Sequence, residues 1–355
     1  MGVKMGVPWF KIKDRYIRKG GIVFSSNFAF YGDMSRRVMN ILNSISPKTE
    51  VYSIDEAFLN LGPYLDYYNM DAETLMLKIK NTLYQRMKLI STVGIGDNPF
   101  LAKSALDNES KKSPNGIASW YQHQLQEKLW PLPIGEMWGV AKRMEIRLQQ
   151  LGIFTIGDLA HYPLHRLHAQ FGIMGEQLHR HANGIDESNI REKYVPESPG
   201  ISMGQVLYRD YNPSEIPVVI REMCDDLCLR LRLENQLSSL VHLSIGYSKT
   251  LGGFSHQMSL IRATDDEDVL YRALMVLFHK YVEDKPIRNV TFAFRKLVPL
   301  KNEQLDLFVD PFLAEKKRKL QQTIASIKHR FGHNAVLRTS ALLEASTTVE
   351  RHTLI

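Results

Sequence analysis

Two adjacent carboxylates, Asp55 and Glu56, sit inside the otherwise apolar run VYSIDEAFLNLG at 51–62. Neither favours a strand, and two unpaired like charges side by side resist burial. On the bend of a hairpin they can project toward one site. A hard divalent cation would remove their repulsion. Mg2+ takes one or two carboxylates together with substrate phosphate oxygens. That is the chemistry of two-metal phosphoryl transfer, which usually draws a further carboxylate from a neighbouring strand. On spacing alone, a solvated hairpin turn is the plainer alternative.

Two other stretches could bind rather than react. Residues 133–152 read as two short helices joined by the tight turn Gly139-Val140-Ala141, with Lys142 and Arg143 beside it. Such a turn directs backbone N–H groups toward phosphate oxygens, although the usual Gly-x-Gly is incomplete here and a plain helical hairpin reads equally well. QLDLF at 304–308 lies outside any sheet pattern. Its Gln304, Leu305, Leu307 and Phe308 could plug into a partner's groove, with a stray strand as the alternative. Five histidines, His161, His165, His168, His179 and His181, crowd one helical stretch. Solvated or phosphate-facing roles suit them better than zinc, whose tetrahedral set is not completed there.

The elements that must position these groups follow from periodicity. A helix carries Met34, Val38, Ile41 and Leu42 ahead of the acidic hairpin. DAETLMLKIKNTLYQRM is a helix capped by Asp71 with a stripe of Leu75, Met76, Ile79 and Leu83. ISTVGIG reads as a short buried strand, and NPFLAKSALDNESKK as a helix with Asn98 at its cap and Pro99 at its first position. Residues 30–120 therefore read α, β-hairpin, α, β, α, β, an α+β sheet domain with helices on one face. Residues 1–28 read as basic and irregular, and residues 130–190 as short-linked helices with Met144, Leu148 and Leu151 buried and Gly152 as a stop.

Residues 200–298 read as a second α+β unit of order β-α-β-β-α-β, a split βαβ sandwich. Val241, Leu243, Ile245 and Tyr247 alternate on its buried face. His242, Ser244, Ser248, Arg288 and Arg295 are assigned to the open face. Thr264 and Glu267 read as a capping box for the second helix. Cys224 and Cys228, the two cysteines of the chain, read as buried thiols. A last helix from about Leu313 to Phe331 shows a stripe of Leu320, Ile324, Ile327 and Phe331, and little pattern follows it.

The bulk numbers agree with this layout. A chain of 355 residues exceeds one ordinary core, and 44% hydrophobic with 23% charged residues is globular. A net charge of +7 fits an anionic partner such as nucleic acid. No run reaches membrane-spanning length and no leader opens the chain, which points to the cytoplasm.

VYSIDEAF closely resembles the palm motif of Y-family translesion DNA polymerases. GVKMGVPWFK, FSSNFAFYGDMSRRVM and MWGVAKRMEIRLQQLGI resemble the UmuC-type branch, and STVGIGDNPFLAKSALDNESKKSPNGIA is similar to its second palm segment. The resemblance implies a right-hand polymerase, α+β and multidomain. It implies a fingers remnant at 1–28, an incomplete palm at 29–125, a helix-hairpin-helix thumb at 126–192 and a linker at 193–199. A little finger at 200–299, a clamp-binding peptide at 300–312 and a tail helix at 313–355 complete it.

It further implies that Asp55 and Glu56 are catalytic and hold Mg2+, two ions in the complete family site. Lys111, or Lys112, would contact the incoming triphosphate. Gly139, Val140, Ala141, Lys142, Arg143, Arg288 and Arg295 would hold DNA, and Gln304, Leu305, Leu307 and Phe308 the bacterial sliding clamp. Partners would be primer-template DNA, damaged DNA included, dNTPs and SOS accessory proteins. In the family, GVKMG follows a first palm strand, with its metal-binding Asp, and most of the fingers. Met1 therefore reads as an internal methionine, and two readings stand: template-directed DNA synthesis past damaged bases by two-metal nucleotidyl transfer, or, as the alternative, a truncated chain whose catalysis is impaired while DNA and clamp binding persist.

Overall fold

The computed structural model describes residues 6–24, 26–190, 199–249, 251–302 and 311–353. The chain divides into two compact units, 29–194 and a second made of 1–28 with 195–355.

The N-terminal stretch holds a helix, α1 (Trp9–Arg18), rather than irregular chain. Its basic residues obscure an amphipathic spacing in which Trp9 meets Tyr16 edge-on at 5.8 Å.

In the unit 29–194, α2 (Phe28–Ile45) runs into a hairpin of β1 (Thr49–Val51) and β2 (Ala57–Leu59). Then come the short α3 (Leu65–Tyr68) and α4 (Ala72–Met87), whose Leu75, Met76, Ile79 and Leu83 are all buried. Asp71 caps α4 by accepting from Thr74 N. β3 (Val93–Gly96) pairs in parallel with β4 (Ile117–Trp120), joined through α5 (Pro99–Asn108). Asn98 caps α5 and Pro99 opens it, as the spacing predicts.

The expected single sheet is not formed by the described residues. β1–β2 and β3–β4 are separate two-stranded ladders, since no described strand lies between them to hydrogen-bond both. β3 is accordingly half-buried along its length rather than enclosed. Its glycines serve a different purpose. A Cβ on Gly94 would lie 1.9 Å from Ala102 O, and one on Gly96 would lie 2.6 Å from Ala102 N. Glycine at both positions lets α5 settle directly on the strand.

The helical part is α6 (Lys142–Gln149), α7 (Ile156–His161), α8 (Leu164–Phe171) and α9 (Ile173–Ala182). The first helix expected at 133–152 is a single 3-10 turn, Ile134–Glu136. Palm and thumb, separate in the sequence reading, share one core, in which Phe100, Leu101 and Ala105 of α5 pack with Ile134, Leu148, Ile153, Leu159 and Leu178. Each such fully buried aliphatic side chain contributes about 1.5–3 kcal/mol.

In the other unit, β5 (Gly200–Tyr211), α10 (Ile216–Leu233), β6 (Gln236–Tyr247), β7 (Gly253–Thr264), α11 (Glu267–Tyr281) and β8 (Ile287–Pro299) follow the predicted order. The antiparallel sheet runs β5-β8-β6-β7. Its covered face, with Val241, Leu243, Ile245 and Tyr247, packs on α10 and α11. Cys224 and Cys228 are buried and unbridged in that core.

The cap of α11 is Asp266, not Thr264; Asp266 accepts from Asp268 N and Val269 N, and Thr264 Oγ1 instead supports Asp266 N. α12 (Pro311–Phe331) follows, and it buries Gln321 and Ala325 while Leu320 and Phe331 of the expected stripe stay exposed. Two 3-10 turns and α13 (Thr348–Thr353) complete the described residues; α13 packs on α10, and the first of the turns packs on α12 and α13. Among the described residues, no helix is long and apolar enough to cross a membrane.

Candidate active site

The hairpin bend carries the acids, as its sequence predicts. β1 and β2 pair with Val51 opposite Ala57, so residues 52–56 form the connection. Tyr52 N and Ser53 N both donate to Glu56 O, which tightens the bend. Ser53 Oγ lies 2.6 Å from Asp55 Oδ1 and fixes that carboxylate, which is solvent-exposed. Glu56 points to α5, where Lys103 Nζ donates to its Oε1 at 2.6 Å.

Lys103 is the residue that the sequence reading passed over. Its side chain is only 10% exposed, on a helix face with Phe100, Leu101 and Ala105. It also reaches Asp107 Oδ1 at 3.2 Å, one turn along α5. Burial pushes the ammonium's pKa down, but Glu56 and Asp107 outweigh burial and hold it above its usual value. A charged lysine on an apolar helix face, four residues before an aspartate, was the available signal.

An aromatic cluster ties the acidic hairpin to the helical part. Trp138 lies 5.9 Å from Tyr52, 6.1 Å from Phe58 and 6.5 Å from Phe100, ring centre to ring centre. Phe100 also stacks on His181 at 4.7 Å. The backbone repeats the link, since Asn98 Nδ2 donates to Gly184 O and Phe100 N donates to Asp186 Oδ2.

Trp138 leads into the turn proposed to hold DNA. Gly139 adopts φ +93°, a conformation that favours glycine. Ala141, Lys142 and Arg143 are exposed at the start of α6, whose N-cap offers no side-chain hydrogen bond. The orphan N–H groups of that first turn stay available to an anion. Val140 does not share this role. Its side chain is 8% exposed within the core, and its N–H donates to Met137 O.

Lys111 and Lys112 are exposed in a 3-10 turn after α5. On β8, Arg295 is exposed, whereas Arg288 sits where the register with β6 slips by one residue. Arg288 remains 41% exposed there and donates to Asp210 at 3.4 Å. Ser248, also assigned to the open face, is buried and donates to the same Asp210. His242 is on the half-open face, bonded to Ser255 Oγ, and burial with Arg295 nearby pushes its pKa down. Gln304, Leu305, Leu307 and Phe308 lie outside the described residues.

The five histidines of α7–α9 disperse: His161 meets Gly157 O, His168 meets Glu176, and His181 stacks on Phe100.

Comparison with known proteins agrees with this geometry. Profiles described as "impB/mucB/samB family" and "impB/mucB/samB family C-terminal domain" match residues 1–107 and 199–307, and one described as "DNA polymerase-iota, thumb domain" matches 135–186. The chain is 39% identical to the putative UV-damage repair protein UvrX of Bacillus subtilis, over 99% of this chain and 83% of that protein. It is 34% identical to a DNA polymerase IV of Pelotomaculum thermopropionicum, over 93% and 81% respectively. A solved Y-family DNA polymerase chimera, Dbh-Dpo4(243-245)-Dbh, shares the fold with a TM-score of 0.68 at 24% identity, over 84% of each chain. The chain belongs to the Y-family DNA polymerases.

Proposed function

We propose that this protein carries out template-directed DNA synthesis past damaged bases, with Asp55 and Glu56 as its metal-holding carboxylates. The observation that supports it most is the placement of both acids on one solvent-facing bend, with a cation already drawn to Glu56.

The donor set fits Mg2+. Both groups are hard oxygen donors, and neither is sealed in the core. Bound there, Mg2+ would supply charge stabilisation to the attacking and leaving oxygens of nucleotidyl transfer. The chain's own residues do the rest. Ser53 orients Asp55, Lys103 holds Glu56, and the Trp138 cluster keeps the bend against the thumb turn. Lys111 or Lys112 would meet the triphosphate. The start of α6, with Lys142, Arg143 and the Gly139 turn, would take the DNA backbone, and Arg295 would add charge on the little finger. QLDLF would engage the sliding clamp, and the UmuC branch, SOS partners and a cytoplasmic site of action belong to the same reading.

Primer extension with Mg2+ and dNTPs tests it. The expected outcome is incorporation opposite a template base, reduced at least about 100-fold in Asp55→Ala and in Glu56→Ala, with DNA binding retained. Binding should also weaken steeply with salt. Extension unaffected by either substitution would refute the assignment.

A further inference from the structure

The segment after α12 folds back on α10 and meets three acids of that helix. Glu222 accepts from Ser346 Oγ at 2.5 Å and Thr347 N at 3.0 Å. Asp225 takes the Arg338 guanidinium in a two-pronged contact at 2.5 and 3.2 Å.

Asp226 differs. Its carboxylate is 6% exposed and faces three tail side chains. Arg351 Nη2 lies 2.7 Å from Oδ2, His352 Nε2 lies 2.9 Å from the same oxygen, and His333 Nδ1 lies 4.0 Å from Oδ1. One donor atom from each of Asp226, His333 and His352 falls within 4.8 Å of the others. A tetrahedral ion with bonds of about 2.0–2.1 Å spaces its donors about 3.3 Å apart. The 2.9 Å from His352 Nε2 to Oδ2 and the 4.0 Å from His333 Nδ1 to the other oxygen, Oδ1, lie on either side of that value.

The ring of His352 supplies a second reason. It is 6% exposed, and its other nitrogen, Nδ1, lies 2.8 Å from Asn334 Oδ1. A neutral imidazole has one N–H. Donated from Nδ1 to Asn334, it leaves the Nε2 lone pair facing a carboxylate oxygen. A metal ion on Nε2 would use that lone pair and leave the Nδ1–H bonded to Asn334. An orienting oxygen on the far nitrogen is the usual support for a metal-binding histidine.

We propose that Asp226, His333 and His352 form a zinc-class transition-metal site that clamps the C-terminal segment onto α10. Two imidazoles and one carboxylate suit zinc and its neighbours better than Mg2+, and three protein ligands leave one position for water. Arg351 keeps its hold on the carboxylate and orients it. All three ligands belong to the unit of 1–28 with 195–355, and the role proposed for the ion is to hold the C-terminal segment on α10.

The test is zinc titration of the chelator-stripped full chain, followed by calorimetry, beside His333→Ala and His352→Ala. The expected result is a single tight equivalent in the parent, weakened at least about tenfold in each variant. Zinc should also slow trypsin cleavage after Arg338 and Arg351 in the parent only. His333 is half exposed, so its variant keeps the fold, which an unchanged melt of the stripped protein would verify. Three results would overturn the proposal. They are an absence of tight zinc binding, binding unchanged in His333→Ala, and an NMR spectrum in which zinc leaves a doubly protonated His352 ring undisturbed.

Discussion

Lys103 Nζ lies 2.6 Å from Glu56 Oε1 and 3.2 Å from Asp107 Oδ1, so one ammonium joins the acidic bend to α5. The consequence is positional. Glu56 is held in a fixed direction before any metal or nucleotide arrives, and such fixed geometry is a large part of catalytic rate.

Replacing Lys103 by Met should lower single-nucleotide incorporation about tenfold and cost about 1 kcal/mol of stability, since two partly exposed carboxylates lose their cation. Lys103→Arg should recover part of the rate. The raised pKa gives a pH signature. A lysine raised in the fold contributes fully below its unfolded value and is lost only as pH rises through the folded one. With the unfolded value at the ordinary 10.5 and the folded one above it, both lie above pH 9, so the melting difference between Lys103→Met and the parent should be the same at pH 7 and pH 9. A difference that vanishes by pH 9 would remove the ion pair from the account.

Gly94→Ala tests how α5 is seated. Its new Cβ would meet backbone, Ala102 O at 1.9 Å, which cannot rotate away. Strand and helix must separate, at a cost of about 1–3 kcal/mol. Urea denaturation should show that loss, and incorporation should fall because Lys103 moves with α5. Stability equal to the parent would show that the helix is not fixed by this contact.

Asp268 tests the anchoring of α12 under acid. Burial pushes its carboxyl up, but Lys317 and Arg221, each hydrogen-bonded to it, outweigh burial and hold it down at about 2. Its contribution is therefore present above its ordinary value of 3.8 and lost as pH falls toward 2. Asp268→Asn should lower the melting temperature at pH 7 and leave it nearly unchanged at pH 2. An equal loss at both pH values would assign the effect to packing.

Replacing Leu307 and Phe308 together by Ala should abolish capture by an immobilised bacterial sliding clamp while leaving DNA affinity within about twofold. The change removes apolar anchors and no charge, so the electrostatic part of DNA binding is untouched. Retained capture would dismiss QLDLF as the clamp peptide.

Sequence alone determined what depends on local chemistry. The acids at 55 and 56 break an apolar run, so a bend follows, and the bend is there. Asp71, Asn98 and Pro99 mark helix starts because caps act within one turn. Alternation in 241–247 marks a half-covered strand, because successive side chains point to opposite faces.

Tertiary structure decided everything that joins distant parts of the chain. Lys103 lies 47 residues from Glu56, and no local pattern links them. Trp138 looks like an ordinary core residue until it meets Tyr52 and Phe58. Val140 sits in a packed core, and Arg288 falls at a one-residue slip in β8 where it reaches Asp210; neither neighbour is visible in the local sequence. The last residues show no periodicity because their order comes from pairing with acids on α10. His352 is 126 residues from Asp226, and only the folded chain brings their charges together.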